Sequence, residues 1–102
     1  VSKLQILEEE AGCFVIDGDL TFTTIAKDTL KSCAFLASAK TVTIDLSRVR
    51  NTDSAGLALM IEFIRQAQSN RTFLKFSNIP KQLLNIAKLS GLDQTPYFNG
   101  QP

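Results

Sequence analysis

Histidine is absent from the 102 residues. That removes Ser-His-Asp triads, imidazole metal sites and the commonest general base, so catalysis and metal binding are not expected. Cysteine is nearly absent. Cys13 and Cys33 stand alone, without C-x-x-C spacing, and are expected to be buried reduced thiols and not a disulfide or a zinc centre. An excess of either charge is also missing: 11 Lys and Arg against 10 Asp and Glu leave a net +1. Such a balance offers no field for a nucleic acid, and Arg48 with Arg50 is too small a cluster to supply one. Long apolar runs are lacking too. The longest, Leu57 to Ile61, is far short of the ~20 residues that span a bilayer. The opening Val1-Ser2-Lys3-Leu4-Gln5 has neither the charged start nor the apolar core of a signal peptide. Membrane association is therefore expected only indirectly, through a partner. No G-x-x-x-x-G-K-[ST] or G-x-G-x-x-G pattern occurs, so a phosphate cradle for a nucleotide is not expected, nor any other cofactor.

What remains is an ordinary globular composition, 44% apolar and 21% charged, in one domain over residues 1–102. Two strands open it, Lys3 to Glu8 and Cys13 to Asp17, with Glu9 to Gly12 as the turn and Gly18-Asp19 ending the second. A helix from Ile25 to Leu36 follows, entered through Thr23 or Thr24 as N-cap. The third strand is Thr41 to Asp45, the second helix Ser54 to Ser69, and the fourth strand Thr72 to Phe76. A third helix runs to Ser90, with Pro80 in its first turn and Gly91 at its stop. The order β-β-α-β-α-β-α predicts an α/β fold: a mixed central sheet of four or five strands with three or more helices and right-handed crossovers. The tail, residues 93–102, is open between edge strand, docking segment and flexible end.

The segment Thr43 to Met60 carries the functional reading. A β-branched strand gives way to a polar loop, and Asp53-Ser54-Ala55-Gly56 opens the second helix. A helix start presents unpartnered N–H groups and the positive end of the macrodipole, a setting that favours an anion, including a phosphate on serine. Ser54 is open between a plain N-cap and a phosphoacceptor or partner contact, and Asp53 between capping and contact. Along the helix, Leu57, Met60, Ile61, Ile64 and Ala67 share one apolar arc at about 100° per residue. Leu59 and Phe63 fall outside it, which makes them either the rim of the core or a protein-binding patch. Asp45, at a strand end with Asp17 and Asp19 elsewhere, hints at a receiver-type phosphoacceptor. No accompanying lysine and hydroxyl arrangement supports that hint.

Four motifs in register then resemble the STAS domains, the sulfate-transporter and anti-sigma-factor-antagonist family. They are Gly18-Asp19-Leu20, Ile44-Asp45-Leu46-Ser47, Asp53-Ser54-Ala55-Gly56-Leu57 and Leu89-Ser90-Gly91-Leu92. The resemblance implies the STAS fold and a non-catalytic protein-binding role. It makes Asp53, Ser54, Ala55, Gly56, Leu57, Leu59 and Phe63 the contact residues, with Asp45 and Asp19 supporting the loops. Two branches compete. In anti-sigma-factor antagonists a kinase phosphorylates the first hydroxyl of D-S-S/T-G-L, which Ser54 matches, but Ala55 replaces the second hydroxyl. The MlaB-like branch is closer in wording across Ile44 to Val49, Asp53 to Leu59 and Ile86 to Leu89. It implies a cytoplasmic subunit, held at the inner membrane by its complex, that docks on the ATPase of a phospholipid-trafficking ABC transporter. The alternative partner is an anti-sigma factor or serine kinase.

Overall fold

The computed structural model describes residues 4–21, 36, 39–92 and 95–99. Strand β1 (Gln5–Glu10) turns at Gly12, whose φ of 79° suits glycine, into β2 (Cys13–Leu20). Then come β3 (Thr41–Thr52), helix α1 (Ser54–Ser69), β4 (Phe73–Ser77), helix α2 (Lys81–Leu89) and the single helical turn α3 (Pro96–Asn99). The sheet order is β1-β2-β3-β4. β1 runs antiparallel to β2, while β2-β3 and β3-β4 are parallel, which is the mixed sheet expected of this element order. The helix expected over Ile25 to Leu36, with its Thr23 or Thr24 cap, lies outside the described residues apart from Leu36, which is fully buried.

One sheet face and the helices enclose the core. Phe14, Ile16 and Leu20 of β2, Val42, Ile44, Leu46 and Val49 of β3, and Leu74 and Phe76 of β4 meet Leu57, Leu59, Met60, Phe63 and Ala67 of α1 and Leu83 and Ala87 of α2. Among the described residues, no helix is long and apolar enough to cross a membrane.

Several boundaries move. β3 does not stop at Asp45 but runs on through the supposed loop to Thr52. The polar residues deceive because the register to β2 shifts twice, between Val15 and Asp17 and again between Gly18 and Leu20. Each shift sets three steps of β3 against two of β2, so inward positions pass from every second residue (Val42, Ile44, Leu46) to every third (Val49, Thr52). Arg48 and Arg50 are thereby left outside. β2 likewise continues past Gly18-Asp19 to Leu20, whose side chain is fully buried. β1 lies two residues later than the pattern suggests, and the tail residues 96–99 form a helical turn, not an edge strand. Phe98 of that turn is buried against Phe76, with ring centroids 6.2 Å apart.

Cys13 is exposed and not buried. It opens β2 on the face opposite Phe14, because successive strand residues alternate. Cys33 lies outside the described residues.

The ends of α1 and α2 close in the same way. Thr72 N–H donates to the Ala67 carbonyl at 2.8 Å and Arg71 N–H to Gln68 at 3.2 Å; Leu92 and Gly91 repeat the pattern on Ala87 and Lys88. This closure needs a left-handed residue. Gly91 supplies it at φ 75°, but in α1 the position is held by Arg71 at φ 55°. Pro80 serves as the N-cap residue of α2, one place before the first turn.

Candidate functional site

The helix start is fixed by backbone and not by Ser54. Asp53 N–H donates to the Leu20 carbonyl at 3.1 Å, tying the loop to the end of β2. Asp53 is the N-cap: its Oδ1 accepts from Ala55 N–H at 2.8 Å, which satisfies one orphan donor of the first turn. Gly56 N–H donates to the Asp53 carbonyl at 3.0 Å. Capping thus belongs to Asp53, and Ser54, at the first helical position, is exposed.

Gly56 sets how the helix is rolled on the sheet. A Cβ there would lie 2.7 Å from the Leu20 carbonyl oxygen and 2.9 Å from Leu20 Cβ, and would press on Thr52 Oγ1. That side of α1 must therefore face the sheet, and Phe63, two turns on, follows it inward. The buried arc of Gly56, Leu57, Leu59, Met60, Phe63 and Ala67 is turned by roughly 60° from the arc centred on Ile64 that spacing suggests.

Two site expectations change as a result. Leu57, Leu59 and Phe63 are 5%, 1% and 0% exposed, so they are core residues and present no surface to a partner in this conformation. Ile61, expected inside, is 42% exposed. The outward stripe of α1 is instead Ser54, Ala58, Ile61 and Arg65, all exposed. Ala58 and Ile61 were legible as i+4 and i+7 of Ser54, had the roll of the helix been fixed from Gly56.

The neighbouring acids hold loops. Asp45 Oδ1 accepts from Ser47 N–H at 2.8 Å and from Asn78 Nδ2 at 3.1 Å. Partial burial pushes the Asp45 carboxyl up. The hydrogen bonds from Asn78 and Ser47, with the nearby Arg48 charge, outweigh it and hold the pKa below the usual carboxylate value. Asp19 Oδ1 accepts from Asn51 Nδ2 at 3.2 Å, joining β2 to the last stretch of β3. Asp17 faces Arg50 at 3.7 Å. The three aspartates of the receiver reading therefore have separate engagements, and among the described residues no cluster of three or more potential metal ligands forms. Further along α1, hydrogen bonds from Gln66 and Arg65 lower the Glu62 pKa.

Comparison with known proteins places this geometry. Solved structures that share the fold include the following two. One is the anti-sigma factor antagonist SpoIIAA in its unphosphorylated form, with a TM-score of 0.62, 14% identity, and coverage of 84% of this chain and 82% of that one. The other is the Bacillus cell fate determinant SpoIIAA in the phosphorylated form, with a TM-score of 0.64, 18% identity, and coverage of 92% and 86%. At such identities the likeness is one of fold. The family model described as MlaB, STAS domain, matches residues 7–98, a span that takes in all four sequence motifs and every element from β2 to α2: this chain belongs to the STAS domain family.

Proposed function

We propose that this chain is a non-catalytic protein-binding module of the MlaB kind. In this reading it is a cytoplasmic subunit that docks on the ATPase of a phospholipid-trafficking ABC transporter and supports the maintenance of outer-membrane lipid asymmetry. The observation that carries the reading is the exposure of Ser54 on a helix start that does not need it. Asp53 caps the helix, the Leu20 carbonyl anchors the loop and Gly56 fixes the roll, so the Ser54 hydroxyl is free to serve recognition. The MlaB-type family match supports the choice of partner.

Contact is assigned to Asp53, Ser54 and Ala55, extended along Ala58 and Ile61. Gly56, Leu57, Leu59 and Phe63 act from beneath by fixing the loop and helix. Small residues at positions 55 and 58 allow a partner backbone to approach closely, and Ile61 adds the apolar contact.

A second reading, an anti-sigma-factor antagonist switched by phosphorylation of Ser54, draws on the same exposed hydroxyl. A phosphate there would gain from the helix dipole but would sit beside the Asp53 carboxylate. Ala55 in place of the second hydroxyl weighs against it.

The test is recovery of partners from native lysate on the tagged full chain, with intact-mass measurement of the bait. An ABC ATPase recovered with unmodified Ser54 is expected, and Ser54→Asp should weaken that complex while Ser54→Ala retains the fold. Recovery of a serine kinase with phosphorylated Ser54 overturns the transporter reading.

A further inference from the structure

Among the described residues, no strand pairs with the outer edge of β4. Phe73 donates its N–H to the Lys40 carbonyl at 2.8 Å, on the β3 side. Backbone alternation then turns the main-chain N–H and C=O of Leu74 to the outer edge, the arrangement that invites an added strand. An open groove of about 540 Å³ runs there, lined by residues 72–76 and by Pro96 and Tyr97. Successive strand residues point to opposite faces, so a lining that takes five in a row follows the edge of β4 and not one of its faces. Phe73 is 68% exposed beside it, and Lys75 is exposed two residues further on.

Charge selects the occupant. β4 and the turn before it hold Arg71 and Lys75, both exposed, and no Asp or Glu. The acidic run Glu8-Glu9-Glu10 lies on β1, at the opposite edge of the sheet. A lysine on an exposed edge discourages indiscriminate pairing, and the strand it discourages least is an acidic one.

We propose that β4 accepts an extended acidic segment of a partner protein as an added strand. Its main chain would bond to Leu74, its carboxylates would lie on the face of Phe73 and Lys75, and its apolar side chains, on the other face, would rest on Tyr97. A second copy of this chain is the weaker fit. Its acidic edge would join head to tail without closing, and the register shift between Glu8 and Glu10 interrupts that strand.

The proposal is tested with a fluorescein-labelled octapeptide of alternating valine and glutamate, titrated against the full chain. A lysine counterpart and a version N-methylated on alternate amides serve as comparison peptides. The glutamate peptide should bind, with both comparison peptides weaker by at least about tenfold. Lys75→Glu, at an exposed position that leaves the core intact, should weaken the glutamate peptide by a similar factor and favour the lysine peptide. Leu74 amide exchange should slow on binding, and Ser54→Asp should leave the affinity unchanged, which separates this surface from the Ser54 contact. No saturation by about 1 mM peptide, equal binding of the lysine or N-methylated peptide, or self-association of the peptide-free chain abolished by Lys75→Glu would each overturn it.

Discussion

Asn78 reaches from the residue after β4 to the Asp45 carboxylate in β3, Nδ2 to Oδ1 at 3.1 Å, while its own backbone holds φ at 55°. The same oxygen accepts the Ser47 N–H at 2.8 Å, where β3 first slips against β2. One carboxylate oxygen therefore secures both the bend within β3 and the exit from β4. Asn is suited to the second task because it tolerates the left-handed region better than other side chains.

Asn78→Ala should lose both advantages, the donor and the backbone tolerance, at a cost of about 1–2 kcal/mol. Asn78→Gly should lose only the donor and cost less. Urea denaturation of the two variants measures the difference, and equal losses would assign the whole effect to the hydrogen bond.

Asp45 should make stability depend on acid. Its folded pKa lies below the ordinary 3.8, so its contribution is present above that value and is lost as pH falls through the lower folded value. The group is partly exposed, and screening limits the effect to about 0.5–1 kcal/mol. The gap in unfolding free energy between wild type and Asp45→Asn should narrow as the pH is taken below 3.8. A gap unchanged throughout would show that charge on Asp45 plays no part.

Asp53 and Ser54 should separate cleanly in stability. Asp53→Ala removes the cap and should cost about 1 kcal/mol, whereas Ser54→Ala should change stability by less than about 0.5 kcal/mol. Thermal unfolding of the pair checks this, and the reverse ranking would return the cap to Ser54.

Gly56→Ala should cost about 2–3 kcal/mol, because its Cβ meets the Leu20 carbonyl, which is backbone and cannot swing aside. The amide resonances of Leu20, Thr52 and Asp53 should shift together. A loss below about 0.5 kcal/mol would mean that the helix start can lift from the sheet without penalty.

Arg71→Gly should raise stability by about 0.5–1 kcal/mol, since glycine holds a positive φ without the Cβ penalty. Denaturant midpoints decide, and a fall would reveal a contribution from the arginine side chain.

The sequence made α1 plain, because Asp53 precedes a long periodic segment and nothing within it breaks the period. It did not disclose how α1 is rolled. Apolar spacing alone favours Ile61 as an inward residue, and only the contact between Gly56 of α1 and Leu20 of β2, 36 residues apart in the chain, turns Phe63 in and Ile61 out. Strict alternation makes β3 look short for a related reason. Ser47, Arg48, Arg50 and Asn51 look like loop residues under strict alternation, and become strand residues once two register shifts rotate them outward. Cys13 is set apart from its buried neighbours Phe14, Val15 and Ile16 because it is the first residue of β2. The motif residues Asp53 to Gly56 were legible; which of them are surface and which are support required the pairing of β2 with β3.

Position 54 gains a particular freedom from the anchoring around it. Since Asp53, Leu20 and Gly56 together determine where its Cα sits, the side chain there is exchangeable without rebuilding the fold. Serine, threonine, alanine or a charged residue would each be presented at the same point and in the same direction. The scaffold works as a socket, and specificity can be rewritten by changing a single fitting.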